Sequence, residues 1–119
     1  MTSGKPYDLE ERTFLFAQRV RSFVKKLLPT MSNREDVKQV IRASGSVVGA
    51  NYIEANECLG KQDFRMRIKI SRKESKECRF WLRLLDLQDR SDQETERADL
   101  IQESIELMKI FGAILLKSE

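Results

Sequence analysis

The sequence contains no histidine, and this absence narrows the chemistry open to the protein. Histidine is the side chain that titrates near neutral pH and a common zinc ligand. Its absence therefore removes the usual general base, the usual zinc sites and the Glu-x-x-His pairs of di-iron helical bundles. The two cysteines, Cys58 and Cys78, follow no recognised spacing, so we interpret them as free thiols of a reducing cytoplasm. We expect no metal site, no catalytic residue and no cofactor.

Glycine and proline are also scarce, five and two in 119 residues, which disfavours a loop-rich β protein. Long apolar runs are missing too. The longest is far short of a membrane span and the N-terminus lacks an apolar signal stretch, so we expect a cytoplasmic protein without a membrane partner. The length suits one domain over residues 1–119, with residues 1–7 as a loose tail.

What the sequence does have is helical periodicity throughout. Apolar residues recur every three or four positions, and no strand-like alternation competes with them. The pattern predicts four helices joined by short connections, which favours an all-α, antiparallel, up-down-up-down four-helix bundle. The predicted helices span about residues 8–28, 33–58, 62–88 and 92–117.

Boundary signals support these spans. A capping residue followed three positions later by glutamate marks a helix start, and this spacing occurs at Asp8 with Glu11, Ser32 with Glu35, and Ser91 with Glu94. Pro29 ends the first predicted helix, and glycine, here Gly60, is a typical residue just after the end of a helix, here the second one.

The apolar surfaces of the third and fourth predicted helices are wider than one bundle needs. In the third, Ile70, Trp81 and Leu84 extend the main stripe sideways, and the fourth is apolar on nearly all sides towards its C-terminal end. A helix that is apolar on most sides is buried on more than one side. We therefore expect a homo-oligomer, and the alternative is a monomer with some exposed leucines.

Charge is segregated along the chain. Residues 61–83 carry nine basic and three acidic residues, whereas residues 86–106 carry eight acidic and two basic ones. Six of the basic residues step by three or four and form one stripe: Arg65, Lys69, Arg72, Lys76, Arg79 and Arg83. Such a stripe suits nucleic-acid phosphates. Alternatively, it pairs with acids of the fourth helix, Glu96, Asp99, Glu103 and Glu106 among them, or with a neighbouring subunit. No exposed aromatic residue is expected among the cations, so any binding should be weakly sequence-selective.

Two E-x-x-E pairs offer a competing function. Glu54 with Glu57, and Glu74 with Glu77, each share a helix face, and two such pairs on adjacent helices could hold Mg²⁺. This spacing resembles that of the all-α nucleotide pyrophosphohydrolases. The structural alternative is that Glu54, Glu74 or Glu77 pairs with Asn51, Ser44 or a buried arginine such as Arg42, because a buried carboxylate needs a partner.

The second predicted helix places polar groups within its apolar face. Ser44 and Asn51 fall near the middle of that face and Glu54 at its edge. Gly45 and Gly49, four apart, permit a close approach to a neighbouring helix. We interpret the polar groups as a seam that fixes register and packs towards the third helix, rather than as an active site.

Beyond these patterns, "ANYIEANE" followed by "DFRMRIKISRKESKECRFWLRLL" resembles the bacterial four-helix bundle proteins encoded in 23S rRNA intervening sequences. The accessory variability determinant proteins of diversity-generating retroelements belong to the same superfamily. The resemblance covers nearly the whole chain, and its most specific residues are Ser46, Asn51 and Glu54, then Ser71 and Glu77. Glu74 stands where many relatives have a small hydroxyl residue, which adds an acid to the seam.

The resemblance implies a homopentamer with a basic surface and, for the retroelement members, binding of nucleic acid and of a reverse transcriptase. Our leading hypothesis is a non-enzymatic oligomer that binds RNA or DNA, a partner protein, or both. The alternatives are a Mg²⁺-dependent pyrophosphohydrolase and a purely protein-binding adaptor.

Overall fold

The computed structural model describes residues 8–45, 51–57 and 60–119. The part of the chain that it describes is all-α and contains five helices rather than the four predicted. They are α1 (Leu9–Val24), α2 (Met31–Arg42), α3 (Asn51–Asn56), α4 (Lys61–Leu84) and α5 (Ser91–Lys117). None of these helices is long and apolar enough to cross a membrane. Cys58, Ser46 and Gly49, as well as the predicted N-terminal tail, lie outside the described residues.

The described residues show the predicted second helix as two helical parts. After Arg42 the backbone widens into a π-helical turn over residues 43–45, and the chain is helical again in α3; residues 46–50 between these parts lie outside the described residues. Gly45 lies in this turn, and a Cβ atom there would meet the Arg21 guanidinium at 3.1 Å. Glycine both weakens the helix and admits this close contact with α1.

Capping confirms one predicted helix start and corrects two. The Asp8 side chain accepts a hydrogen bond from the Glu11 backbone N–H, as predicted. At α2 the capping residue is Thr30, which accepts from the N–H of Asn33, not Ser32. At α5, Ser91 is already the first helical residue, and the residue before it, Arg90, makes no side-chain capping bond.

The link between α4 and α5 begins four residues earlier than predicted. Leu85 and Leu87 leave the helix and bury their side chains, and the chain then turns through positive φ angles at Gln88 and Asp89. The Arg97 guanidinium donates to the carbonyl oxygens of Leu82, Arg83 and Leu85 at 3.2, 3.4 and 2.6 Å. This arginine supplies a donor to carbonyls at the end of the helix, of which the Leu82 carbonyl oxygen also accepts from the Leu85 N–H at 3.4 Å.

Packing centres on α4 and α5, which make the most extensive contact; α2 and α3 lie against α4, and α1 lies against α5 and α2. The largest fully buried side chains include Phe16 and Phe23 of α1, Ile68 of α4, and Leu107 and Phe111 of α5. Burying one such side chain stabilises the fold by roughly 1.5–3 kcal/mol. The core therefore fixes which face of α4 points outward.

Candidate nucleic-acid interface

The six predicted cations of α4 lie beside its buried face. That face carries Ile68, Ser71, Ser75, Cys78 and Leu82. Five of the six cations are exposed: Lys69, Arg72, Lys76, Arg79 and Arg83. Across the ranges that the structure describes, none of these five forms an ion pair within 4 Å.

Arg65, the sixth cation, has a structural contact that the others lack. Its guanidinium is half-buried and donates to the Leu115 carbonyl oxygen at 2.7 Å and to the Ser118 hydroxyl. Both acceptors lie at the C-terminal end of α5, where a positive charge also favours the helix dipole. Arg65 therefore fastens α4 to α5, and we define the basic surface as the other five cations.

Three acids of α5 pair with α1 or with the segment just after it instead of with the basic surface. Arg12 holds Glu103 at 2.7 Å and Glu106 at 2.9 Å, and Lys26 holds Glu96 at 3.0 Å. The hydrogen bond with Glu103 raises the pKa of Arg12, while hydrogen bonds from the Gln102 amide and from Arg12 lower the pKa of the exposed Glu106 carboxyl. Of the four candidates to neutralise the basic surface, Glu103 and Glu106 thus have a partner on α1 and Glu96 has one just after α1, whereas Asp99 forms no ion pair within the described ranges.

Between α4 and α5 the basic surface borders an open groove of about 530 Å³. Gly112 of α5 lies in this groove, and the nearest atom that a side chain at this position would meet is Arg72 Cδ, at 3.9 Å. The small residue thus keeps the space in front of the cations open. Its lining is basic and apolar: Lys69, Arg72, Lys73, Lys76, Met108 and Gly112. A groove with clustered cations matches the negative charge of a phosphate backbone.

Sequence reasoning missed three members of this region. Lys73 lies beside the stripe and is 3.8 Å from Glu77. Gly112 interrupts a long apolar helical run, and a glycine in such a run is a signal of close approach or open space. Phe80 is the third: its side chain is 53% exposed, which contradicts the expectation that no exposed aromatic residue lies among the cations.

A second groove, of about 480 Å³, lies on α1. Arg19, Arg21 and Lys25 line it together with Glu96. Because an acid stands among these cations, its charge is more mixed than that of the groove on α4.

The predicted polar seam is only partly assembled. Ser44 is buried and donates to the Ile41 carbonyl oxygen at 3.2 Å within its own helix. Ser71 is also buried, and its carbonyl oxygen accepts from the Ser75 hydroxyl at 2.8 Å. Asn51 accepts from Arg67 of α4 at 3.2 Å, so the contact from this segment to α4 is present. Glu54, by contrast, is exposed on α3 and lies outside the buried part of the seam.

The carboxylates of α4 follow the structural alternative. Arg42 of α2 lies 3.3 Å from Glu74 and 3.7 Å from Glu77, and the Glu74 side chain is only 13% exposed. Arg42 itself is about half exposed rather than buried. Within the described ranges no group of three or more Cys, Asp or Glu residues could hold a metal ion. The positive charge beside Glu74 and Glu77 is supplied by Arg42 and, for Glu77, also by Lys73.

Burial also determines the pKa of the Cys78 thiol, which lies on the buried face of α4. Cys78 is fully buried, and burial raises the pKa of its thiol to about 12, with the negative charges of Glu74 and Glu77 adding to the effect. A neutral buried thiol behaves as a small apolar side chain.

Comparison with known proteins assigns the chain to a family. The sequence model described as "23S rRNA-intervening sequence protein" matches residues 6–113, nearly the whole chain. The chain belongs to this family. This confirms the resemblance seen in the sequence.

A solved structure agrees with this family membership. It is the crystal structure of a protein with unknown function from the S23 ribosomal protein family of Bacteroides thetaiotaomicron. That protein is 27% identical to this chain, the match covers 90% of this chain and 97% of that one, and the TM-score is 0.76. No curated protein matches the chain significantly.

Proposed function

We propose that this protein is a non-enzymatic homo-oligomer that binds RNA or DNA through the basic surface of α4. The observation that carries the proposal is the charge arrangement: five exposed cations lie on one helix, while Glu103 and Glu106 of the neighbouring helix pair with Arg12 of α1, and Glu96 pairs with Lys26 just after α1. Cations that form no ion pair within the described part of the chain are available to displace counterions from phosphates, which drives binding to nucleic acid.

The assembly that we propose is an antiparallel four-helix bundle repeated as a homopentamer. Contacts of α1 with α2, α2 with α4, α4 with α5 and α5 with α1 are compatible with such a bundle. Large apolar side chains remain exposed on α1, α4 and α5, among them Leu15, Met66 and Leu116. An interface with a second copy would bury such residues. Light scattering at micromolar concentration should give about five times the 13.9 kDa chain mass, and a monomer would contradict the proposed assembly.

A non-enzymatic role is supported by the surroundings of the acids. Arg42 pairs with Glu74 and Glu77, Lys73 also lies 3.8 Å from Glu77, and Glu54 and Glu57 are exposed on the segment around α3. Mg²⁺-dependent hydrolysis of a nucleoside triphosphate that is abolished by Glu54→Gln would contradict this part of the proposal and favour a pyrophosphohydrolase.

The affinity of the proposed binding should fall steeply as the salt concentration rises. If all five cations of the basic surface contact duplex phosphates, the logarithm of the affinity should fall with the logarithm of salt concentration with a slope of about −4.5 per protomer. Raising salt from 50 to 200 mM would then weaken binding roughly 500-fold. Because the contacts are to phosphates, unrelated sequences should behave alike.

The decisive experiment reverses two charges of the surface. Lys69→Glu with Lys76→Glu should abolish most binding at low salt and reduce the salt slope by about 2, while the oligomer stays intact. Arg34→Glu with Lys38→Glu, on α2, changes the net charge equally and serves as the control. Fluorescence anisotropy with labelled RNA and DNA measures both. If the wild-type protein binds neither at low salt, the nucleic-acid proposal fails and a partner protein, such as a reverse transcriptase, becomes the candidate.

A further inference from the structure

Phe80 is an exposed aromatic side chain at the edge of the basic surface. It is 53% exposed, and its neighbours one helical turn away are Lys76 and Glu77 on one side and Arg83 and Leu84 on the other. Lys76 and Arg83 are both exposed cations. Glu77 is engaged by Arg42 at 3.7 Å and by Lys73 at 3.8 Å. The aromatic ring therefore lies between two cations of the surface that we propose for phosphates.

The ring of Phe80 is held in place from one side. Its centroid lies 5.1 Å from that of Trp81, and the two rings are nearly perpendicular, at 82°. Such edge-to-face pairs are favourable by about 0.5–1.5 kcal/mol beyond their area. Trp81 in turn packs against the hydrophobic core. Phe80 is thus supported by a partly buried neighbour while half of its own surface faces outward.

We infer that Phe80 is a stacking platform for a base, and that the basic surface prefers single-stranded over double-stranded nucleic acid. This inference rests on the proposed function and adds that the nucleic acid is bound as a single strand. Aromatic residues between cations are the pattern of single-strand binding, in which the cations follow the backbone and unpaired bases stack on the rings. Bases of a duplex are already stacked on one another, so a duplex can use only the cations. The charge of Lys76 and Arg83 favours a polyanion over an apolar protein segment as the occupant.

The test compares oligo(rU) and oligo(dT) with a duplex of equal length at low salt. Phe80→Ala should weaken binding of single strands by roughly fivefold to hundredfold and leave binding of the duplex unchanged. Phe80→Tyr should retain single-strand affinity, whereas Phe80→Leu, apolar but not aromatic, should lose it. The two oligonucleotides separate RNA from DNA as the natural strand.

Phe14 provides a matched control. It lies on α1 and is also 53% exposed, but its neighbours one turn away are Glu10, Glu11, Ala17 and Gln18. Phe14→Ala should therefore leave single-strand binding unchanged. The only tryptophan of the chain, Trp81, gives a direct readout: its fluorescence should change on binding of a single strand and should not change with the duplex.

Three results would overturn the inference, and they differ from failure of the proposed function. If Phe80→Ala binds single strands like wild type, the platform is wrong although salt-sensitive binding stands. If Phe80→Leu keeps full affinity, the contact is apolar packing and not stacking. If Phe80→Ala lowers the mass in light scattering, Phe80 belongs to an interface between protein chains. Absence of binding to any strand overturns the proposed function itself.

Discussion

Asn33 offers the sharpest test of how the helix ends are joined. Its side chain is 1% exposed and is fully engaged by backbone groups. The amide nitrogen donates to the carbonyl oxygens of Leu28, at 3.0 Å, and Asp86, at 2.9 Å. The amide oxygen accepts from the Asp86 N–H at 2.9 Å. One side chain thus joins the loop after α1, the start of α2 and the loop after α4.

Replacing Asn33 by alanine removes three hydrogen bonds: the N–H and the carbonyl oxygen of Asp86 lose this partner, while the Leu28 carbonyl oxygen keeps its bond from the Thr30 N–H. At about 1 kcal/mol net for each bond, the expected loss is about 3 kcal/mol, and alanine's better helix propensity offsets a few tenths of it. This is a large fraction of the 5–15 kcal/mol that typically stabilises a folded protein. Asn33→Asp should cost at least as much at neutral pH, because a carboxylate would face two carbonyl oxygens.

Urea denaturation at one fixed protein concentration measures the effect, since concentration matters for an oligomer. With a slope of about 1.5 kcal/mol per molar, Asn33→Ala should lower the midpoint by about 2 M. Asn56→Ala is the control: Asn56 is exposed and makes one bond to Glu10 at 3.0 Å, so its midpoint should hardly move. An Asn33→Ala midpoint close to that of wild type would refute the reasoning.

Three further predictions concern Arg97, Arg65 and Cys78. Arg97→Ala should destabilise the protein by about 1–3 kcal/mol in urea denaturation, because carbonyls at the end of α4 lose their donor, and an unchanged midpoint would contradict that role. Arg65→Ala should lower the melting temperature more than the affinity for nucleic acid, whereas Arg72→Ala should lower the affinity more than the melting temperature. Thermal melting and fluorescence anisotropy measure the two effects. If both variants changed both quantities equally, Arg65 would not have a structural role distinct from that of Arg72. In a Cys58→Ser background, the thiol of Cys78 should resist Ellman's reagent at pH 8 until denaturant is added. Rapid labelling of the native protein would contradict this burial. The pKa of the Cys78 thiol is raised to about 12, so the folded state keeps a proton that the unfolded thiol loses from about pH 9. The stability of the protein should therefore fall as pH rises through this interval.

Local signals carried the sequence analysis furthest. Helical period predicted the all-α class, and the spacing from Asp8 to Glu11 predicted the start of α1, because both depend on residues within one turn of each other. The same period placed Lys69, Arg72, Lys76, Arg79 and Arg83 on one side of α4, where all five are exposed. Family membership was also readable from the motifs of the second and third predicted helices.

Tertiary structure decided the partners of the charged and polar groups. Period alone left open whether the acids of α5 face α4 or α1, and packing directed Glu103 and Glu106 to Arg12. It also turned Arg65 into a cap for a helix fifty residues away in sequence and left Phe80 exposed. The physical reason is that hydrogen-bonding and charge pairing depend on distances across helices, whereas periodicity records only distances along one helix.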